Sequence, residues 1–454
     1  MAMTRKFRSA DYEATLNLQI SVHDVLPPDH LARFIVDVIA QLDLGEIYRQ
    51  YSEQGAPAYA PEVLLGLLFY GYATGIFSSR QIEKATYEMI PFRYVAGDMH
   101  PDHDTIAHFR RENLAQLKDM FVQILLIAQE MGHLKLGHVS LDGSKIHADA
   151  SKSRAVSYKR LLAIEAYLQA EVNELFALAE TADGWQRPAE MDIPNEIERR
   201  QQQLSRLAEA RQVLEMRAQA RHAAEQAEYE AKMQARTEKA AQKKQKPRGK
   251  PPKPPQAGPR DKDQYNFTDP QSRLMKNANN GGFDQHYNVQ VVVEHDSRLI
   301  VGTWVCDHTN DRQTALPTID SVPPDLGRPA AANLDTGYFS ANNVTGLTQR
   351  GIEPYIATGR SPHHLGWRAH CLSYDGPPAP DASVKEQMAY KLRTAMGKTL
   401  YRLRKSTVEP VIGIIKEVLG FRQFSLRGLF AVSGEWTLMC LAYNLKRLHT
   451  LQLA

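Results

Sequence analysis

His138-Val-Ser-Leu-Asp-Gly-Ser-Lys-Ile146 reads as a strand interrupted by an acid. Apolar and polar residues alternate up to Leu141, and Gly143 predicts a tight turn directly after Asp142. A carboxylate at the end of an apolar strand is costly in a packed domain unless it has a partner or a metal. Ala332-Asn-Leu-Asp-Thr-Gly-Tyr338 repeats the pattern, with Asp335 after a short apolar run and Gly337 two residues on. A third acid, Glu409, stands in Thr407-Val-Glu-Pro-Val-Ile-Gly-Ile-Ile-Lys416, read as the opening of an amphipathic helix. Lys416 follows it by two helical turns and so shares its face.

Working outward, strands alternate with helices. Gln285–Glu294 and Leu299–Cys306 flank His295-Asp-Ser-Arg298, a hairpin pattern. Residues 311–319 read as a helix, 331–334 as a strand ending at Asp335, 343–350 as a helix and 352–357 as a strand. Residues 361–382, rich in Pro, His and Gly, read as a loop; the chain is helical again from Val384, with a last apolar helix from Trp436 to Leu448. The economical fold is α/β, a mixed sheet with helices on its faces.

Residues 1–135 read as all-α. Leu31, Phe34, Ile35, Val38 and Ile39 recur at helical spacing, Pro61 sits at a helix start, and a further helix begins at Ser79. His103-Asp-Thr-Ile-Ala-His-Phe-Arg-Arg111 precedes an apolar helix over 114–131. Short helices with basic residues at their exits suit a helix-turn-helix-like DNA module, or a bundle that only packs. Residues 158–246 carry almost no strand signal. Two helical stripes around a turn-rich stretch from Thr181 to Pro194 predict an antiparallel hairpin inserted into another domain. The hairpin gives way to a Pro/Lys/Gly linker from Pro247 to Pro259. Lys239 to Arg260 hold eight Lys or Arg and no acid, the footprint of a polyanion site or of a solvated linker.

Composition sets bounds. With 454 residues, 43% hydrophobic and 24% charged, the chain has room for two or three globular domains. Cys306, Cys371 and Cys440 lie far apart, so neither a disulfide framework nor a zinc site is expected, and a reducing cytosol fits. His363, His364, His370 and Cys371 cluster without the fixed spacing of zinc ligands. No phosphate-binding Gly-Lys loop and no nucleophile elbow occurs, and no apolar segment of spanning length is found. The acids Asp142, Asp335 and Glu409 form a hard-oxygen donor set of the kind that holds Mg²⁺ or Mn²⁺ for phosphodiester chemistry. The helix dipole alone also favours a first-turn glutamate. The setting of Glu409 adds to the chemical reading, with Tyr401, Arg402, Arg404 and Lys405 upstream and Lys416 downstream. A second acidic group, Glu294, Asp307 and Asp311 with His308, is expected to support the first, or Asp311 to replace Asp335.

These segments resemble bacterial insertion-sequence transposases of the DDE type. Tyr59-Ala-Pro-Glu-Val-Leu-Leu65, His103–Arg110, Asp269–Lys276, Tyr287–Gln290 and Val305–Arg312 carry the resemblance beyond the acids. It implies an RNase H-like core over 136–157 and 263–454, a DNA-binding or dimerisation domain over 1–135, and a helical insertion over 158–262. It carries the metal-binding and catalytic acids onto Asp142, Asp335 and Glu409. The family's Tyr-Arg-Glu-Lys signature matches in part: Glu409 and Lys416 keep its spacing, while Lys405 and Arg402 stand at its arginine and tyrosine positions, with Arg404 and Tyr401 adjacent. DNA contacts are therefore implied for Tyr401, Arg404, Lys405 and Lys416. The implied activity is Mg²⁺- or Mn²⁺-dependent cleavage at insertion-sequence ends and strand transfer into target DNA. The implied partners are terminal inverted repeats, target DNA and a second copy in the paired-end complex, in a bacterial cytoplasm at the nucleoid and away from membranes. A catalytically inactive DNA-binding relative, or a nuclease that joins nothing, remains the alternative.

Overall fold

The computed structural model describes residues 21–51, 58–181, 192–243, 249–277, 281–359, 376–379 and 382–453. The histidine cluster around 363–371 lies outside them, as do the hairpin tip and most of the 361–382 loop.

The sheet positions everything else. It is six-stranded and built on β1 (His138–His147) and β5 (Phe283–Glu294), which run antiparallel from Val139↔Glu294 to His147↔His286. The other edge of β5 pairs with β4 (Arg273–Lys276) and then β6 (Ile300–Cys306), both antiparallel. On the far side of β1 come β7 (Ala331–Leu334) and β8 (Glu353–Ile356), both parallel. From His286 onward β5 is buried at every position, as a strand covered on both faces must be. The β5–β6 hairpin forms where the sequence predicts it. Its turn is held by Glu294, whose carboxylate accepts from Asp296 N–H (3.1 Å) and Ser297 N–H (2.8 Å).

Two expectations about the acid-bearing segments are corrected. Asp142 does not end its strand: β1 runs on to His147, and Gly143 is extended, not turned. Glu409 does not open a helix. It lies inside the helix Ala395–Gly413, which continues through Pro410 and passes into a wide turn over Ile414–Val418. The proline's missing N–H removes one ladder bond, and buried Val408, Val411 and Ile415 keep the segment packed against the sheet regardless. Smaller shifts also appear. Only Ala315–Ile319 of 311–319 is helical, and the last helix starts earlier, spanning Leu429–Gln452.

The N-terminal segment is helical as expected, with Leu31–Ile39, Pro61–Thr74, Ser79–Glu88, His103–Glu112 and Gln116–Glu130 its main helices. It shares one continuous hydrophobic core with the sheet, through the Leu429–Gln452 helix between them. A buried polar link pins the two parts together. Arg110 donates to Tyr72 Oη (2.9 Å), and Tyr72 donates to Glu435 (3.2 Å). Glu435 also accepts from the N–H groups of Ser425 and Leu426. Arg110, a basic residue expected at a helix exit, therefore points into the core.

The insertion is an antiparallel hairpin of Tyr158–Thr181 and Ile193–Lys243, with a small core of its own around Leu161, Leu168, Leu207 and Leu214. The pairs Glu171–Arg200, Glu165–Arg211 and Tyr158–Glu215 run in opposite order along the two helices, which fixes their direction. Its second helix, 51 residues long, is about 76 Å from end to end. A two-stranded ribbon, β2 (Ala155–Ser157) with β3 (Gln264–Asn266), closes the base. From Gly249 the linker runs back along the long helix, where Arg236 and Arg221 donate to its carbonyls. Among the described residues no single helix is long and apolar enough to cross a membrane.

Removing the Glu435 carboxylate leaves two N–H groups and the Tyr72 and Ser425 hydroxyls without their acceptor, and the buried Arg110 guanidinium without its nearby negative charge. Glu435→Ala is expected to lose roughly 3–5 kcal/mol of stability, read by urea unfolding, with the helical region and the sheet still melting in one transition.

Candidate active site

Strand register brings the two aspartates together. β1 and β7 pair in parallel up to Ser140↔Asn333. Two residues beyond that pairing, Asp142 still in β1 and Asp335 just past the end of β7 lie toward the same end of the two strands, near enough for Asp335 to act on the Asp142 carboxyl. Asp335 caps the short helical turn Thr336–Tyr338 and accepts from Gly337 N–H at 2.7 Å. Asp142 accepts from the N–H of Gly143 at 2.9 Å.

The helix Ala395–Gly413 brings the third acid. One guanidinium joins it to the strand: Arg404 donates through Nη1 to Asp142 (2.8 Å) and through Nη2 to Glu409 (2.8 Å). Burial works against the Arg404 charge. Asp142, Tyr401, Glu409 and Asp335 outweigh that cost, and its pKa is raised. Burial pushes the Asp142 carboxyl up to about 6, with Asp335 adding to the shift and Arg404 and Gly143 N–H opposing it. Desolvation therefore wins at Asp142 even with a cation in contact. Burial also raises the Tyr401 phenol, which lies within the fields of Arg404, Asp335 and Asp142.

Of the basic residues expected here, Tyr401 and Arg404 stand at the acids. Lys405, the position reached by counting back from Glu409, is exposed and makes no described contact with them. Lys416 also reaches β1, but further along, donating to Ser144 Oγ (3.1 Å) and toward Lys145 O (3.4 Å). The second acidic group does not assemble. Glu294 serves the hairpin turn and Asp307 pairs with Arg273. Asp311 alone approaches the site: Asp335 Oδ1 and Asp311 Oδ2 lie 3.0 and 3.6 Å from the position a Cβ on Gly337 would take.

One set of residues behind the acids is not evident from the sequence patterns above. Gln290 of β5 donates to Asp311 Oδ1 (3.1 Å) and accepts from Tyr338 Oη, in the turn that carries Asp335 (2.5 Å). Asn288 donates to the same Asp311 oxygen at 2.8 Å. The Gln290 side chain also occupies the space beside Gly143, nearer than any Cβ there could tolerate. That close approach, and not a turn, is why residue 143 is glycine. The available signal was Asn288 and Gln290 themselves, amides alternating with valines in a buried strand, where each needs a partner.

A hard divalent cation suits this donor set. The three acids offer only oxygens, and Asp142 is desolvated with its charge only partly answered. Among the described residues no three acids or histidines stand close enough to hold an ion as they are placed. The guanidinium of Arg404 lies between Asp142 and Glu409, where a cation bound by both would sit.

The chain matches two known families. Residues 20–112 match a transposase domain, DUF772, and residues 379–449 match a transposase DDE domain. The putative transposase for insertion sequence element IS402 from Burkholderia cepacia is 39% identical over 66 residues, 13% of this chain and 31% of that relative, so the match spans about a third of the relative's length. No solved structure matches. The likeness to insertion-sequence transposases with a DDE domain therefore holds toward both ends of the chain. The second match includes Arg404, Glu409 and Lys416, and Asp142 and Asp335 fall outside it.

Gly143→Ala must displace Gln290 from Asp311 and Tyr338. It is expected to destabilise by roughly 1–3 kcal/mol, and by clearly less in a Gln290→Ala background, the coupling read from a double-mutant unfolding cycle. Asp142 gives a pH signature. Its folded pKa of about 6 lies above the ordinary aspartate value of 3.8, so its contribution to stability is full below the unfolded pKa and lost as pH rises through 6. In chelator, Asp142→Asn is expected to exceed wild type at pH 8 by up to ~3 kcal/mol at 1.36 kcal/mol per unit. The gap should close as pH falls toward 4, followed by thermal melting across that range.

Proposed function

We propose that this chain, with transposase family matches toward both ends, is a DNA transposase that cuts at insertion-sequence ends and joins them to target DNA. The observation that carries the reading is Arg404, on the helix inside the DDE match, joining Asp142 of β1 to Glu409, with Asp335 in the electrostatic field of both Asp142 and Arg404. The sheet order supports an RNase H-like core: β5 runs antiparallel to both of its neighbours β6 and β1, and β7 and β8 follow parallel to β1.

The reaction has two displacements. Water attacks a phosphodiester at the element's end and frees a 3′-hydroxyl. That hydroxyl then attacks a target phosphodiester, and the displaced 3′-oxygen leaves on the target strand. Asp142, Asp335 and Glu409 would hold Mg²⁺ or Mn²⁺, which supplies charge stabilisation for both the attacking and the leaving oxygen. Arg404, released from Asp142 and Glu409, has a planar fork suited to a phosphate. Tyr401 stands beside it to orient the end of the strand, and Lys416 lies further along β1 to hold the backbone. Gly143 and Gln290 keep the two aspartates in register. The N-terminal helices would read the terminal repeats, and two copies would pair the ends.

The test is cleavage of labelled duplexes carrying the gene's flanking ends, in Mg²⁺ or Mn²⁺. Wild type is expected to nick at the ends, while Asp142→Ala and Glu409→Gln still bind the duplex but lose nicking by at least 100-fold. Undiminished cleavage by Asp142→Ala would sink the assignment, and binding without cleavage by wild type would point to an inactive relative.

A further inference from the structure

We infer that a cationic pocket beside the acids seats a DNA backbone phosphate within about two nucleotides of the bond being cut; this deepens the transposase reading and rests on it. The pocket has a volume of about 440 Å³, with Gly143 and Asp311 in its lining alongside Lys145, Lys276, Lys416 and Arg422. It thus begins where the acid site ends.

The charges in this pocket are not all answered. Arg422 is matched by Glu417. The three lysines are not: among the described residues none forms an ion pair, and the described bonds of Lys145 and Lys416 go to neutral oxygens. Lys145 donates to the carbonyl of Lys276 at 3.1 Å, and Lys416 to Ser144 Oγ at 3.1 Å. Lys416 is half-buried, and desolvation already works against its charge. Three ammonium groups from β1, β4 and the turn after Gly413 thus line one concavity without a carboxylate paired to any of them. Packing gains nothing from that arrangement, and a phosphodiester would neutralise it.

Position sets which phosphate. Ser144, held by Lys416, is two residues past Asp142 and so faces the same side of the strand, about 7 Å along it. Successive phosphates of one nucleic-acid strand lie further apart than the ~3.4 Å rise per nucleotide along the helix axis, so that span is at most about two nucleotides. A strand with its reacting phosphate at Asp142 therefore has a neighbouring phosphate at Lys416, in the concavity that Lys145 and Lys276 line with it. Seating it there fixes the register of the strand, and hence which bond meets the acids.

The experiment uses the full chain and a duplex carrying the gene's flanking ends. Lys145→Gln and Lys276→Gln are combined, since Lys276 is exposed and Lys145 only partly covered. Unchanged thermal melting establishes that the double variant is folded. The slope of log affinity against log salt is expected to fall by about 0.9 for each phosphate left without its lysine, and the paired Lys→Arg variant to restore it. Uncharged methylphosphonates are then placed one at a time near the cut. One position within about two nucleotides is expected to weaken binding by wild type and not by the double variant, whose cuts also spread to adjacent bonds. If the double variant binds with the wild-type slope and phosphonate profile, and cuts at the same bond, the pocket assignment is overturned and the transposase reading stands. If wild type shows no salt-dependent binding to the ends, the transposase reading fails and the pocket assignment with it.

Discussion

A carboxylate in the middle of a buried strand is the constraint around which this site is arranged. Asp142 loses most of its hydration, and burial outweighs every group that favours its charge. An isolated charge in that position is intolerable, so its neighbours answer it: the N–H of Gly143, the guanidinium of Arg404 and, through that guanidinium, Glu409. Removing the helix Ala395–Gly413 would leave the strand acid unpaired. Removing the acid would leave a half-buried arginine with Glu409 as its one remaining ion-pair partner among the described residues. The Arg404 pair thus offsets part of the cost of burying Asp142, while apolar packing of Val408, Val411 and Ile415 holds the helix against the sheet.

The same logic extends across the sheet. Gln290 serves both strand acids, filling the space at Gly143 beside Asp142 and holding Tyr338 in the turn that follows Asp335. Asp311, oriented by Asn288 and Gln290, stands against that turn. A buried amide network of this kind is rigid when fully satisfied and costly when broken. It links the strand position next to Asp142 to the turn that follows Asp335.

Around this centre the chain divides its labour. The N-terminal helices are continuous with the core of the sheet, pinned by Arg110, Tyr72 and Glu435. The insertion packs largely on itself and is tied to the rest at the β2–β3 ribbon and by Arg217, which donates to Pro270 O at 2.6 Å.

The sequence by itself determined the elements. Period-two and period-3.6 patterns located the β5–β6 hairpin, β7, β8, the N-terminal helices and the antiparallel insertion, because apolar periodicity is local and burial rewards it directly. It also singled out Asp142, Asp335 and Glu409, since acids next to apolar runs are expensive enough to stand out. Tertiary structure decided what local rules misread. Gly143 looked like a turn, but it makes room for Gln290, a residue 147 positions away whose approach no local pattern encodes. Pro410 looked like a helix start, yet packing of Val408, Val411 and Ile415 carries the helix through it. Spacing counted back from Glu409 pointed to Lys405, whereas Arg404 has the direction that reaches both acids. Periodicity is a property of neighbours in sequence, and a site is a property of neighbours in space. Only the fold could bring residues 142, 335 and 404–409 into one electrostatic neighbourhood.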